Sequence, residues 1–324
     1  MLPPISASGT TGSVLGIRSS YKTKVLSEAI QSVLNQSYAH FELIIVNDAS
    51  PEDVSSIVKM FGDKRIKYFE NKENLGCNDP TRNWNKCFEY VRGELFVLFA
   101  DDDVYHRNFL QELYLLSEKY PQINLFHSRI EQIDEKGNTL QLSPICPEIE
   151  HPLDFIWHRI RGYRLQFVAD FMCRSEALRK IGGFFPMPLS WCADDITWFQ
   201  LSQPHGIGYT AAPLCKFRRS EEQISSSGGL KKKLAALEQF TTWLNSFTKL
   251  YNTTSKYEQI LLDMIRNELI IMYKKEEQYQ IIHNLRNTNI LSAIWSLLLL
   301  KNVHHSKLQT FVKFIAHKYR VRNH

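Results

Sequence analysis

Two patterns of hydrophobic and polar positions alternate over the first third of the chain. Continuous apolar runs are typical of strands buried on both faces of a sheet, and they occur at 13–17, 41–48, 65–71 and 94–100. After the first run, apolar residues recur at helical spacing, in the series Leu26, Ala29, Ile30, Val33 and Leu34. Strands that alternate with helices at these lengths predict an α/β fold with a Rossmann-like, mostly parallel sheet flanked by helices.

Polar residues indicate where the next helices begin. Ser50 is predicted to cap a helix that carries Glu52 and Asp53 in its first turn. Two more helices are expected, one over 81–91 and one that contains Phe109. Every strand is therefore followed by a helix, as parallel βαβ units require.

The pattern changes after residue 120. The apolar runs 123–130 and 167–174 predict a mixed extension of the sheet. Two short helices are expected at 175–184 and 194–202, followed by late strands over 206–219. The mixed part of the sheet is thus expected to follow the parallel part along the chain.

A polar, Gly/Ser-rich stretch predicts the main boundary of the chain. The expected organisation is an N-terminal tail at 1–12, an α/β domain at 13–220, a linker at 221–229 and a helical C-terminal region at 230–324. About four helical segments are expected in the C-terminal region.

Charge divides the chain in the same place. The whole sequence carries 39 Lys+Arg and 34 Asp+Glu, and 15 of the basic but only 6 of the acidic residues lie from Gly229 onward. This basic helical region permits three interpretations: an intramolecular lid, a nucleic-acid surface or a contact with anionic membrane lipids. No nucleic-acid-binding module is recognisable, so we expect no nucleic-acid partner and favour a peripheral membrane contact.

Targeting signals are not evident in the sequence. The first residues lack the basic and apolar regions of a signal peptide. The apolar run 290–300 is too short to cross a bilayer. The six scattered cysteines fit reduced thiols. A cytoplasmic protein is expected, with the basic helices favouring the inner face of the membrane.

Two acidic clusters are the candidates for chemistry. Asp101, Asp102 and Asp103 directly follow the predicted strand at 94–100, at the carboxyl edge where parallel sheets bind ligands. They either cap a helix or hold a hard cation such as Mg²⁺ or Mn²⁺ together with phosphate oxygens. Asp194 and Asp195 precede an apolar helix, and capping is again the alternative to a functional site.

The ordered motifs resemble the family-2 glycosyltransferases of the GT-A fold, which are inverting enzymes that use nucleotide sugars. The resemblance rests on LSEAIQSVLNQSYAHFELIIVNDASPED, NKENLG, TRN, GELFVLFADDD, KIGGF and ADDITWF, in this order. It covers roughly 13–220 and implies a GT-A fold with a C-terminal helical extension. The order of the motifs is specific, whereas ADDD alone is a weak signal.

The resemblance also implies roles for individual residues. Ser19 and Tyr21 lie in the first loop, where a family tyrosine packs on the nucleobase, and Asp48 is similar to the acid that hydrogen-bonds the base. Arg82 resembles a base or phosphate contact, and Asp101 resembles the ribose-side acid.

The acids at the diphosphate and at the acceptor are implied in the same way. Asp102 resembles the metal-side acid of the Asp-x-Asp motif, with Asp103 as the other candidate metal ligand. Asp194 aligns with the general base, and Asp195 directly follows it. Arg218 and Arg219 are either diphosphate contacts or solvated charges.

Departures from the family pattern leave a second interpretation open. RSSYK replaces the usual first loop, Asn47 and Ala49 replace an acid and a glycine of the nucleotide loop, and the acidic run is shifted to end at Asp103. A dinucleotide-dependent oxidoreductase is disfavoured because no GxGxxG opens the first helix. The alternative is a degenerate GT-A protein that binds a nucleotide sugar or a partner without turnover.

The resemblance implies metal-assisted transfer of a sugar from a nucleotide-diphosphate donor, with a UDP-sugar favoured. The expected acceptor is a saccharide or lipid-linked hydroxyl, as in surface polysaccharide biosynthesis. Transfer requires charge stabilisation at the leaving diphosphate and a base on the opposite face. These two requirements explain why two separate acidic sites are needed.

Overall fold

A computed structural model describes residues 11–17, 23–76, 79–219, 229–285, 290, 292, 294 and 307–320. The chain forms two compact units, Met1–Gln223 and Ile224–His324. The predicted tail and linker lie outside the described residues, except for Thr11, Gly12 and Gly229.

Ten strands form one sheet in the first unit. Their bounds are β1 Thr11–Ile17, β2 Phe41–Asn47, β3 Ile66–Glu70, β4 Leu95–Ala100, β5 Val104–Tyr105, β6 Leu125–Ile133, β7 Thr139–Leu142, β8 Ile149–Glu150, β9 Phe171–Arg174 and β10 Ile207–Arg218. The strand order is β3-β2-β1-β4-β9-β6-β10-β5, with β7 beside β6 and β8 beside β10.

The helices of the first unit follow the strands as expected. Their bounds are α1 Thr23–Leu34, α2 Val54–Phe61, α3 Pro80–Glu89, α4 Phe109–Lys119, α5 Pro152–Ile160, α6 Ser175–Lys180 and α7 Ala193–Leu201. Two single-turn 3₁₀ helices occur at Val168–Asp170 and Pro188–Ser190.

The sheet is mixed but mostly parallel, as the apolar runs predicted. Strands β3, β2, β1 and β4 are mutually parallel. Strand β9 is antiparallel to both β4 and β6, so β6 and its parallel neighbour β10 run in the same direction as β4. Their carboxyl ends therefore meet at one edge of the sheet.

Apolar burial explains why these segments form the centre of the sheet. Leu43, Ile45, Val97 and Phe99 are nearly inaccessible and belong to one continuous core with the inner face of α1. Most residues of β2 and β4 are buried on both faces, which is why their sequences read as unbroken apolar runs.

One local prediction is wrong, and one of the alternatives left open by the sequence is excluded. Helix α2 begins at Val54 and is capped by Asp53, whose carboxylate accepts a hydrogen bond from the Ser56 amide at 3.0 Å, so Ser50 is not the cap. The acidic run 101–103 does not cap a helix either, because β5 follows it and α4 begins only at Phe109. The two-residue strand β5 was too short for the apolar pattern to reveal.

The second unit consists of helices where it is described. They are α8 Leu230–Leu250, α9 Lys256–Leu285 and α10 Lys307–Arg320. Helix α9 contacts both of the others, and Ile281, Leu285 and Phe314 form a small apolar core. No helix within the described ranges combines the length and the apolar character needed to cross a bilayer.

Candidate active site

The turn after β4 presents two carboxylates at the carboxyl edge of the sheet. Asp101 and Asp102 are half-buried and follow Ala100, the last residue of β4. Register places the end of β4 beside β1, and β1 lies beside β2, which ends at Asn47. With about 4.8 Å between neighbouring strands, the ends of β2 and β4 are about 10 Å apart. The loops that follow these two strands therefore lie side by side at the same edge of the sheet.

Asp103 points away from this edge into the protein. It is 1% exposed, and its Oδ1 accepts a hydrogen bond from the Arg218 amide at 2.9 Å, while Oδ2 has no hydrogen-bond partner among the described residues. Burial, followed by repulsion from Asp102 and Asp101, raises the pKa of Asp103 well above its usual range. Burial and the hydrogen bond from the Arg218 amide turn Asp103 inward, whereas Asp102 lies at the sheet edge, and the assignment of Asp103 as a metal ligand stays a prediction.

Arg218 is a buried support of the acidic turn. Its side chain is 5% exposed, donates from Nε to the Asp102 carbonyl at 2.8 Å and donates from Nη2 to Glu28 at 2.8 Å. Arg218 is therefore not the solvated charge that one sequence interpretation offered, and its contacts fix the backbone of the turn. Arg219, in contrast, is exposed.

Asp48 holds the loop that follows β3. It is 1% exposed, and its oxygens accept hydrogen bonds from Asn71 Nδ2 at 2.8 Å, the Leu75 amide at 2.8 Å and the Gly76 amide at 2.7 Å. A Cβ at position 76 would lie 3.0 Å from Asp48 Oδ2, so a larger residue there would be in tight contact with this carboxylate. In this structure the carboxylate thus organises the 71–76 segment.

The structure describes only one of the three other residues that are predicted to bind the sugar-nucleotide donor. Arg82 is exposed in the first turn of α3, near the same edge as the loop that Asp48 holds. Ser19 and Tyr21 lie outside the described residues. Asp79 caps α3 by accepting a hydrogen bond from the Thr81 amide at 3.1 Å. This cap holds the first turn of the helix, in which Arg82 lies.

The second acidic pair begins α7, and its two members have different environments. Asp195 is buried and accepts hydrogen bonds from Arg159 Nε at 2.7 Å, Arg159 Nη2 at 3.1 Å and Gln166 Nε2 at 3.1 Å. Asp194 is half-buried. Burial of its carboxyl group and repulsion from Asp195, opposed by Arg159, raise the pKa of Asp194 to about 7.

Ring contacts bring α7 onto the strand pair β4–β9. Trp198, one turn beyond Asp194, stacks on Phe171 of β9 with ring centroids 4.9 Å apart. Phe184 contacts both Trp198 and Phe96 of β4 edge to face. Helix α7 therefore packs on β4 and β9, and β4 is the strand that leads into the acidic turn at 101–103.

The segment before α7 has an unusual backbone. Leu189, Ser190 and Cys192 all adopt positive φ angles, between 53° and 59°, which non-glycine residues rarely adopt. Ser190 Oγ accepts a hydrogen bond from the Thr81 amide at 2.7 Å. This contact ties the segment to the first turn of α3, where Arg82 lies, and offsets the backbone strain.

The donor set after β4 fits a hard cation that also takes phosphate oxygens. Within the described ranges, no group of three or more His, Cys, Asp or Glu side chains is arranged to hold a metal ion by itself. Mg²⁺ and Mn²⁺ need only one or two carboxylates when a diphosphate supplies further oxygens. Asp101 and Asp102, adjacent and accessible, satisfy that requirement.

Sequence reasoning missed Arg159 and Gln166. Arg159 lies in α5 and Gln166 lies directly before Phe167, and neither residue is part of a recognisable motif. Arg159 is 36 positions from Asp195 along the chain. The sequence carries no signal for this pairing, because it depends on how α5 packs beside α7.

Comparison with known proteins gives a family for this chain. The family described as Glycosyl transferase family 2 matches residues 20–182. An uncharacterized glycosyltransferase of Rickettsia felis is 28% identical over 207 residues, which are 62% of this chain and 33% of the relative. The matched part of the chain therefore spans about one third of that relative's length.

Solved structures share the fold. Staphylococcus aureus TarS 1-349 in complex with UDP-GlcNAc has a TM-score of 0.66 and 14% identity, with coverage of 97% of this chain and 92% of TarS 1-349. Mannosyltransferase PcManGT from Pyrobaculum calidifontis, in complex with GDP-Man and Mn²⁺, has a TM-score of 0.55 and 13% identity, with coverage of 96% and 87%. Because the family match takes in half of the 324 residues, the chain belongs to glycosyltransferase family 2, and its mixed sheet has the GT-A architecture.

Proposed function

We propose that the protein transfers a sugar from a nucleotide-diphosphate donor to an acceptor hydroxyl with inversion at the anomeric carbon. The observation that carries this proposal is Asp194, a half-buried carboxylate at the start of α7 whose pKa is about 7. A base with a pKa near the working pH is suited to remove a hydroxyl proton during attack.

The reaction is a single displacement. The acceptor oxygen forms a bond to the anomeric carbon while the bond to the diphosphate oxygen breaks on the opposite face, and the acceptor proton passes to Asp194. This is the geometry of an inverting glycosidase with a sugar or lipid hydroxyl in place of water. Asp195 lies beside the base and is bound to Arg159 and Gln166, so it positions the start of α7.

The donor binds along the carboxyl edge of β1, β2 and β4. We assign Ser19, Tyr21, Asp48 and Arg82 to the nucleotide and Asp101 to the ribose side. Asp102 and Asp101 would hold Mg²⁺ or Mn²⁺, and the bound ion would neutralise charge on the leaving diphosphate. Asp48 already holds the 71–76 loop, so a contact with the base requires its carboxylate to share its acceptor capacity with the ligand.

UDP is the favoured nucleotide and GDP the alternative. Support for UDP comes from TarS, which shares the fold and was crystallised with UDP-GlcNAc. Support for GDP and for a divalent cation comes from the mannosyltransferase with GDP-Man and Mn²⁺. We propose a saccharide or lipid-linked acceptor in surface polysaccharide synthesis, with the protein in the cytoplasm and the basic C-terminal helices on anionic lipid.

An Asp194→Asn substitution tests the proposal. We expect sugar transfer to fall by about 10²- to 10⁴-fold because the acceptor proton has no base. Calorimetric titration with UDP, GDP and dTDP, each with and without Mn²⁺, should give the same metal-dependent binding for this variant and the parent. Unchanged transfer by the variant would refute the assignment of the base.

The same titration addresses the degenerate alternative. Metal-dependent binding of one nucleotide by the parent protein, without transfer to any acceptor, would favour a binding protein. The absence of nucleotide binding under all conditions would contradict the donor site. The replacement of the usual acid by Asn47 is the observation that favours this alternative.

A further inference from the structure

Arg159 makes the closest charged contact to the acidic pair of α7. It lies on the last turn of α5 and binds Asp195 through both Nε and Nη2, at 2.7 and 3.1 Å from the two carboxylate oxygens. The Asp195 side chain is 4% exposed and that of Arg159 is 27% exposed. Two parallel hydrogen bonds of this kind fix both the distance and the orientation of the pair.

The guanidinium is itself held from a second direction. Its Nη1 donates to the Arg164 carbonyl at 3.1 Å, and Gln166, two residues further, donates to Asp195 Oδ1 at 3.1 Å. The segment 159–166 therefore surrounds the Asp195 carboxylate with three donated hydrogen bonds. Such saturation leaves Asp195 as a fixed negative charge beside Asp194.

The two other basic groups of this segment that lie near Arg159, Arg164 and His158, both bind Glu150. Arg164 donates to Glu150 of β8 through Nε at 3.2 Å and through Nη2 at 2.5 Å, and His158 contacts the same carboxylate at 2.5 Å. Asp170, in the 3₁₀ turn before β9, is fully buried, and the positive charge of Arg159 acts to lower the pKa of Asp170 against the larger effect of burial. Cys192, before α7, also faces Arg159. Arg159 is thus the cation that both Asp194 and Asp195 face.

We infer that Arg159 is a positioning residue for transfer, which holds Asp195 and balances its charge so that Asp194 can act as the base. The inference rests on the proposed function of Asp194. It deepens that proposal by assigning separate tasks to the adjacent acids: Asp194 exchanges the proton, and Asp195 anchors α7 to α5 through Arg159.

This division of tasks predicts opposite effects for two substitutions. Removing the guanidinium leaves the Asp195 charge unbalanced, and a like charge disfavours ionisation of Asp194. Removing the Asp195 charge while keeping Arg159 favours ionisation of Asp194, because only the attraction of Arg159 for the Asp194 carboxylate remains. A residue with a merely structural role would lower activity at every pH without moving the pH profile.

The experiment measures kcat/KM for transfer between pH 5 and pH 9. In the parent protein, kcat/KM should fall as the pH drops below about 7, and this decline is the acid limb of the pH profile. We expect Arg159→Met to move this limb up by about one pH unit and Asp195→Asn to move it down by about one unit, so the two variants should differ about 50-fold at pH 6. Arg159→Lys should stay near the parent, and the donor KM should change little in all three.

Further variants guard against loss of folding. The double variant Arg159→Met/Asp195→Asn removes both charges and avoids a buried unpaired carboxylate, and its acid limb should lie between those of the single variants. Arg161→Met is the matched control, since Arg161 is an exposed arginine at the end of the same helix. Its pH profile should match that of the parent.

The outcomes separate this inference from the proposed function. If Asp194→Asn is inactive but the acid limb is unmoved in both Arg159→Met and Asp195→Asn, the base is confirmed and the role of Arg159 is refuted. If Asp194→Asn remains active, the proposed function itself fails. Shifts of both variants in the same direction would also overturn the inference.

Discussion

Three adjacent residues, Asp101, Asp102 and Asp103, have identical side chains but different environments. Asp101 and Asp102 are half-buried at the sheet edge, whereas Asp103 is 1% exposed beneath Arg218. An ionised carboxylate is costly in such a site, because one backbone hydrogen bond does not replace the lost water. The pKa of Asp103 is accordingly raised well above its usual range.

Isosteric substitutions should separate the roles of these neighbours. We expect Asp102→Asn to weaken Mn²⁺-dependent nucleotide binding by at least about tenfold, because the ion loses a charged ligand. Asp103→Asn should change that binding by less than about threefold, since this side chain points into the protein and an amide oxygen can still accept from the Arg218 amide. Calorimetric titration of both variants measures the difference, and equal losses would place Asp103 among the metal ligands.

At the scale of elements, loops at the sheet edge are organised by single buried side chains. The 71–76 loop depends on Asp48, which accepts from two backbone amides and from Asn71. Asn71 also donates to Asn83 of α3 at 3.1 Å, so the loop is connected to the next helix. The end of β2, this loop and α3 therefore form one hydrogen-bonded unit.

The stability of that unit should depend on the second carboxylate oxygen of Asp48. Asp48→Asn turns one acceptor into a donor, which leaves a buried backbone amide without a partner and should cost about 2 kcal/mol of unfolding free energy. Asp53→Asn is the matched control, because asparagine caps helices as well as aspartate does. Urea unfolding of both variants provides the measurement, and equal stability of the two would show that the Asp48 contacts are dispensable.

At the scale of the whole molecule, the core of the first unit contains a buried histidine–aspartate pair. His127 Nδ1 lies 3.5 Å from Asp170 Oδ2, and both side chains are at most 5% exposed. Burial lowers the pKa of His127 to about 3 and raises the pKa of Asp170 well above its usual range. Burial therefore disfavours the charged form of both side chains.

This pair predicts how stability depends on pH. Because the Asp170 pKa is higher in the folded than in the unfolded chain, its stabilising contribution is complete below pH 3.8 and declines as pH rises toward the folded pKa. Asp170→Asn does not titrate, so its stability relative to the parent should increase with pH by up to about 1.4 kcal/mol per unit. Urea unfolding at pH 4.5, 5.5 and 6.5 measures this slope.

A surface substitution provides the control for this slope. Asp134→Asn changes an exposed turn residue whose pKa is lowered by its hydrogen bonds to Asn138. Above pH 4.5 this variant should track the parent with a constant difference. A constant difference for Asp170→Asn as well would mean that Asp170 is ionised in the folded protein.

The α/β fold and the edge that carries the candidate site follow from local patterns in the sequence. Apolar runs such as 41–48 reveal strands buried on both faces, and helical spacing of apolar residues reveals α1. Since parallel strands share one carboxyl edge, the placement of Asp48 and Asp101 at the same edge of the sheet also follows. These signals are local because burial repeats with the period of each element.

The tertiary structure alone decided which acids are charged, buried or paired. Asp103 meets Arg218 across 115 positions, and Asp195 meets Arg159 across 36. The pKa of a carboxyl group depends on water, charges and donors within a few ångströms, and distant parts of the chain supply these. Local patterns along the chain therefore establish the fold, the family and the two acidic clusters, whereas only packing distinguishes Asp194 from Asp195 and Asp102 from Asp103.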